Sequence, residues 1–65
     1  MTVKELRSRS GLTQREFAAK YHISMRTLQG WESCRRTPPQ YIPTLIEYIM
    51  ELERRINDYE ENNKN

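Results

Sequence analysis

Thr13-Gln14-Arg15-Glu16-Phe17-Ala18-Ala19-Lys20-Tyr21-His22-Ile23-Ser24-Met25-Arg26-Thr27-Leu28-Gln29-Gly30-Trp31-Glu32-Ser33 is the stretch that decides the fold. Its apolar residues fall at Phe17, Ala18, Tyr21, Ile23, Leu28 and Trp31, a helical period that pauses around His22. That pattern predicts two short amphipathic helices joined by a tight turn, with Ala18 small enough to stand where they cross. Two such helices cannot make a core alone, so the flanking segments must complete it.

Upstream, Thr2-Val3-Lys4-Glu5 and Thr13-Gln14-Arg15-Glu16 both fit the capping box, in which a hydroxyl caps the first turn and a glutamate reaches back. A first helix is expected over about residues 3–9, burying Val3 and Leu6, with Gly11 ending it and Leu12 packing from the connection. A second follows at about 14–21. Ser24 caps a third at about 25–33. Downstream, Cys34-Arg35-Arg36-Thr37-Pro38-Pro39 breaks the pattern, and Pro39 suits the first position of a last helix. That helix is expected to start near 39–40 and to be distorted where Pro43 removes a hydrogen bond, the alternative being a start at Pro43 itself, and to reach about Tyr59 before a fraying tail.

Within it, Ile42, Leu45, Ile49, Leu52, Ile56 and Tyr59 are spaced 3, 4, 3, 4 and 3 apart, a heptad seam with Ile42, Ile49 and Ile56 at a and Leu45, Leu52 and Tyr59 at d. The part from Ile42 to Ile49 is expected to pack on the chain's own helices. The seam to Tyr59 spans about 25 Å at 1.5 Å per residue, more than so small a core covers. Its second half calls for a partner, and a second copy is the simplest one. Ile49, Leu52, Ile56 and Tyr59 are therefore the candidate homodimer interface. The expected fold class is all-α, a compact four- to five-helix bundle with an extended C-terminal helix. Residues 1–50 form the domain, 51–60 a dimerising extension and 61–65 a frayed tail.

Sixty-five residues are near the lower limit for a self-sufficient core. The lone Cys34 cannot form an internal disulfide, and no Cys/His cluster has zinc spacing, so no metal or cofactor is expected. The start MTVKELRSRS has no apolar run of signal-peptide length, and no stretch approaches a membrane span. A cytoplasmic chain with Met1 as its native start, without membrane association, is the expectation. Residues 1–40 carry eight Lys/Arg against three acids, a net +5, while residues 41–65 carry three against six, a net −3. A basic half beside an acidic helix suits phosphate contact by one half only.

From Leu6 to about Ile46 the sequence resembles the Cro and phage-repressor family of helix–turn–helix proteins. The resemblance rests on Leu6-Arg7, Gly11-Leu12-Thr13-Gln14, Phe17-Ala18, Ile23-Ser24, Leu28, Trp31-Glu32 and the Arg36-x-Pro38 step. Such proteins lay the second helix of the motif in the DNA major groove. Two positions depart from the pattern: His22 stands at the turn position usually held by glycine, and Cys34 where glycine usually follows the recognition helix. Both tend to need a positive φ, so adjusted or mildly strained turns are expected.

The resemblance gives Gln14 a phosphate contact, and independently a side-chain amide beside free backbone N–H groups can clamp an anion. Ser24, Met25, Arg26, Gln29 and Gly30 are expected on the outward face of the recognition helix. Arg26 can pair bidentately with guanine and Gln29 with adenine; Met25 can touch a thymine methyl, and Gly30 allows close approach. The bland alternative for each is a solvated helix face. Ser24, Thr27, Arg35 and Arg36 join Gln14 as phosphate candidates. Arg7 and Glu32 match a buried ion pair of the family and are expected to be structural. His22 beside Tyr21 is weak evidence for catalysis or metal binding, and no enzyme or small-molecule substrate is expected. The leading reading is a sequence-specific double-stranded-DNA regulator, a repressor, acting as a homodimer on an inverted-repeat operator. The alternative is an antitoxin with the same fold and a toxin protein as partner; a third is an interaction module that has lost DNA binding.

Overall fold

A computed structural model of the chain describes residues 1–62. Four helices follow one another: α1 (Val3–Ser10), α2 (Gln14–Lys20), α3 (Met25–Glu32) and α4 (Tyr41–Asn62). No strand occurs among the described residues.

The starts of α1 and α2 are set by reciprocal caps. The Glu5 N–H donates to Thr2 Oγ1 and the Thr2 N–H to Glu5 Oε1, both at 3.1 Å. Thr13 and Glu16 repeat the arrangement at 3.1 and 2.9 Å. Each box satisfies two backbone donors that a helix start leaves over. Gly11, at φ 73°, ends α1.

The ends of α2 and α3 are built alike. At α2 the Ile23 N–H reaches the Ala18 carbonyl at 2.9 Å while His22 N–H reaches Ala19. At α3 the Arg35 N–H reaches Gly30 at 3.0 Å while Cys34 N–H reaches Trp31. These paired bonds are the Schellman closure, whose pivot residue must be left-handed. His22 (φ 56°) and Cys34 (φ 63°) are those pivots. The turns are therefore not adjusted around the missing glycines; they keep the glycine geometry with a β-carbon in place. That geometry costs an L-residue roughly 1–2 kcal/mol, offset by glycine's extra chain entropy of about 0.5–1 kcal/mol. We expect Cys34→Gly to stabilise the fold by about 0.5–1 kcal/mol, a rise of several degrees in thermal midpoint at this size. His22→Gly should gain less, since histidine tolerates the region better. Thermal melts of both variants check this, and a Cys34→Gly midpoint at or below that of the parent chain would show that the turn is unstrained.

α1 packs against α3 and α4, and α2 against α3. Val3, Leu6, Phe17, Ala18, Leu28 and Ile46 form the buried core, with Phe17, Leu6 and Leu28 the largest side chains fully out of water. Leu12, Tyr21, Ile23, Met25, Trp31, Ile42 and Met50 close it from outside. The Phe17 and Tyr21 rings meet at 4.7 Å.

α4 departs from expectation in three respects. It begins at Tyr41, which puts Pro43 third in the helix. An N–H there has no intrahelical acceptor, so proline removes nothing and the expected distortion has no cause. At the other end the helix runs to Asn62, past the expected stop near Tyr59, because no glycine or proline follows Pro43. Of the tail expected to fray, residues 61 and 62 are helical, and 63–65 lie outside the described residues.

The third difference concerns which stripe faces inward. Ile46 is buried and Ile42 and Met50 pack against the core, whereas Leu45 and Ile49 are 50% and 40% exposed. The expectation that the seam from Ile42 to Ile49 packs as a block on the chain's own helices is thus corrected: of Ile42, Leu45 and Ile49, only Ile42 packs against the core. The inward row is Ile42-Ile46-Met50, spaced by four, and it is extended by Glu53, which holds Lys20 of α2 at 2.9 Å. The heptad seam lies on the neighbouring face.

Candidate nucleic-acid interface

Ser24 fixes the start of α3. Its hydroxyl accepts the Thr27 N–H at 3.1 Å and donates to Thr27 Oγ1 at 2.8 Å. The Ser24 hydroxyl proton is thus already engaged, leaving the adjoining backbone N–H groups as the anion donors of this turn. Thr27 is half-buried beside it.

Leu28 and Trp31 turn inward, which sends Arg26 and Gln29 outward; both are exposed. Arg26, Gln29, Gly30, Ser33, Arg35 and Arg36 line one shallow depression on the surface. Three of these, Arg26, Gln29 and Gly30, were expected to share the outward face, and the flanking Arg35 and Arg36 bring two further cations to it. Ser33 was missed, although positions 26, 29, 30 and 33 have the helical one-face spacing that signals it. No hydrogen bond or ion pair within the described residues engages the side chains of Arg26, Arg35 or Arg36. Three guanidinium groups stand together in solvent, which is the donor chemistry of phosphate and base-edge contact.

Three expected contacts sit differently. Gly30 is not open to close approach, because the Arg36 stem lies over it, 3.6 Å from where a β-carbon would stand. Met25 does not lie on the free face: it is half-buried and packs against the core. A methionine in the first turn can swing to either side, and the apolar ground between Ile23 and Leu28 draws it inward. Gln14, at the start of α2, donates from Nε2 to Glu32 Oε1 at 3.2 Å. One amide proton is thus held by the protein, and the other has no partner among the described residues.

The same Glu32 receives Arg7. Arg7 Nε donates to Oε2 at 2.7 Å and Nη2 to Oε1 at 2.9 Å, while Nη1 reaches the Leu12 carbonyl at 3.1 Å. The Glu32 side chain is only 5% exposed and that of Arg7 22%. The two-pronged bond from Arg7 holds the Glu32 carboxyl below the usual carboxylate range against the opposing effect of burial. One arginine therefore ties α1, the connection after it and the end of α3 together. This pair lies apart from the depression, and its donors face inward.

His22 is exposed at its turn. Among the described residues no three His, Cys, Asp or Glu side chains gather closely enough to hold a metal ion. No described helix is long and apolar enough to cross a membrane.

The sequence profile of the helix–turn–helix family matches residues 3–42, well over half of the chain. No curated protein and no solved structure matches the chain. The chain belongs to the helix–turn–helix family of Cro type, and with it to the DNA-binding transcription regulators.

Proposed function

We propose that this helix–turn–helix protein is a sequence-specific repressor that reads an inverted-repeat operator as a homodimer, with α3 in the major groove. The observation that carries the reading is the convergence of Arg26, Gln29, Arg35 and Arg36 on one exposed face of α3 and its following loop. Arg26 and Gln29 supply the bidentate donors and acceptors that distinguish base pairs. Arg35, Thr27, the free amide proton of Gln14 and the N–H groups at Ser24 supply phosphate contacts that set the register. Exposed Leu45, Ile49, Leu52, Ile56 and Tyr59 on α4 supply the surface for a second copy. A recognition face of this chemistry disfavours an interaction module that has lost DNA binding.

Selection of bound sites from random duplexes tests the proposal. We expect one enriched motif with two-fold symmetry, and affinity that falls steeply with salt as counterions are released. Arg26→Ala should flatten the preference at a single base pair per half-site, at a cost of about 1–3 kcal/mol, while leaving the other positions in place. Should no motif be enriched at moderate salt, the sequence-specific reading fails.

A further inference from the structure

The turn after α3 does something its Schellman closure alone does not require. The Gly30 carbonyl accepts three donors: the Arg35 N–H at 3.0 Å, the Arg36 N–H at 3.2 Å and Ser33 Oγ at 3.3 Å. Arg36 is thereby anchored by its own backbone to the one α3 residue without a side chain. Its stem then runs back over that residue. A β-carbon built on Gly30 would stand 3.6, 3.7 and 3.9 Å from Arg36 Cδ, Cγ and Cβ. The space above Gly30 is thus filled by the arginine stem and is not open for a base to approach the helix backbone.

We propose that Arg36 serves as the recognition-helix side chain at position 30, a base-reading residue delivered from the loop, with the edge of a guanine as its target. The inference rests on α3 being the duplex-reading helix. Position 30 lies one turn beyond Arg26 on the same stripe of the helix, so the stem of Arg36 continues the row that Arg26 begins. The separation along the axis is about 6 Å, close to two base-pair steps. Its stem crosses the outward stripe of α3 at Gly30 and lines the same depression as Arg26 and Gln29. The guanidinium has no hydrogen bond or ion pair within the described residues, so its five donors remain available. Two of them match guanine O6 and N7 in the major groove.

A base-reading and a phosphate-holding arginine differ in what lysine can replace. Lysine keeps the charge and the stem but cannot make the planar two-pronged bond. Sites are selected from random duplexes with the unmodified chain and with Arg36→Lys and Arg36→Ala, each first checked for helicity and cooperative melting. The expected result is that both variants lose preference at one base pair per half-site. That pair is distinct from the one lost in Arg26→Ala and within about two steps of it. Discrimination there should fall roughly 5- to 150-fold, the range of one bidentate contact. If the parent chain enriches a motif that Arg36→Lys retains at every position, Arg36 holds phosphate and the inference is overturned. A uniform loss of affinity in Arg36→Ala, with the motif unchanged, overturns it equally. A parent chain that enriches no motif overturns the underlying reading and this inference with it. Where Arg36→Ala fails to fold, the lysine variant alone decides.

Discussion

Arg7→Ala is expected to lose about 3–5 kcal/mol of stability, the cost of stranding a buried charge. A chain of 65 residues has a total stability of roughly 3–10 kcal/mol at the usual 0.05–0.15 kcal/mol per residue. The variant should therefore be largely unfolded at physiological temperature. Glu32→Ala should cost less. With Glu32 gone, Arg7 is exposed enough to reach water and still donates to the Leu12 carbonyl. With Arg7 gone, Glu32 keeps only one amide proton from Gln14 while almost wholly out of solvent, and Leu12 loses a donor as well. The ordering Arg7→Ala worse than Glu32→Ala thus follows from the two exposures. Replacing both, as in Arg7→Met/Glu32→Leu, removes the stranded charge and should recover much of the loss. Urea unfolding of the three variants checks the ordering. A fully stable Arg7→Ala protein that merely binds DNA less well would make Arg7 a DNA contact.

The same pair sets part of the acid limb. The folded Glu32 carboxyl titrates below its unfolded value, chiefly because Arg7 donates to it. Its contribution is complete above the ordinary carboxylate range and is lost as pH falls through the depressed value. Glu5 and Glu16, lowered first of all by the Thr2 and Thr13 backbone N–H groups, act in the same direction from the surface.

The helix starts and the α1–α3 core were legible because each is written in adjacent residues. A hydroxyl with a glutamate three positions on can do little else at a helix start, and Thr2, Thr13 and Ser24 all cap as expected. The family resemblance carried the Arg7–Glu32 pairing, which no local spacing specifies across 25 positions of chain. The inward stripe of α4 was not legible for a different reason. From Tyr41 to Met50 the helix is apolar on most sides, and two rows, Ile42-Ile46-Met50 and Leu45-Ile49-Leu52, both satisfy helical spacing. Periodicity cannot choose between them. The choice is made in three dimensions by the packing of α1 on α4 and by Lys20 meeting Glu53. Nor could the sequence place Arg36 over Gly30: the positive φ at Cys34 was expected, but the path of the following arginine stem back across the helix is set only in three dimensions. Met25 illustrates the converse: its position in the helix was legible, its rotamer was not.

The correction to α4 changes the expected behaviour of the homodimer. With Leu45 and Ile49 outside the core, the exposed seam runs Leu45, Ile49, Leu52, Ile56, Tyr59, about 21 Å of helix at 1.5 Å per residue. Tyr48, also exposed, borders it. Isoleucine at a (Ile49, Ile56) with leucine at d (Leu45, Leu52) favours two parallel strands. A parallel pair keeps both DNA-binding units at the same end of the coil. In such a pair Arg55 at g would stand opposite Glu60 at e of the other copy, and its present bond to Glu51, 3.3 Å long and exposed, holds it only weakly. Glu53, by contrast, is engaged with Lys20 of its own chain, so the coil must form on the side away from α2. A two-fold axis through it relates the recognition helices, which should meet half-sites about one turn, or 34 Å, apart. Leu52→Glu/Ile56→Glu buries two like charges at adjacent seam layers and should leave only monomer. Since both residues are more than half exposed and stand outside the core cluster, the monomer should stay folded. Without the second half-site held nearby, operator affinity should fall roughly 10²–10⁴-fold. Sedimentation of the parent chain and the double variant separates the cases. A parent chain that remains monomeric at high micromolar concentration, with the same mass as the variant, would mean that DNA alone brings the two copies together.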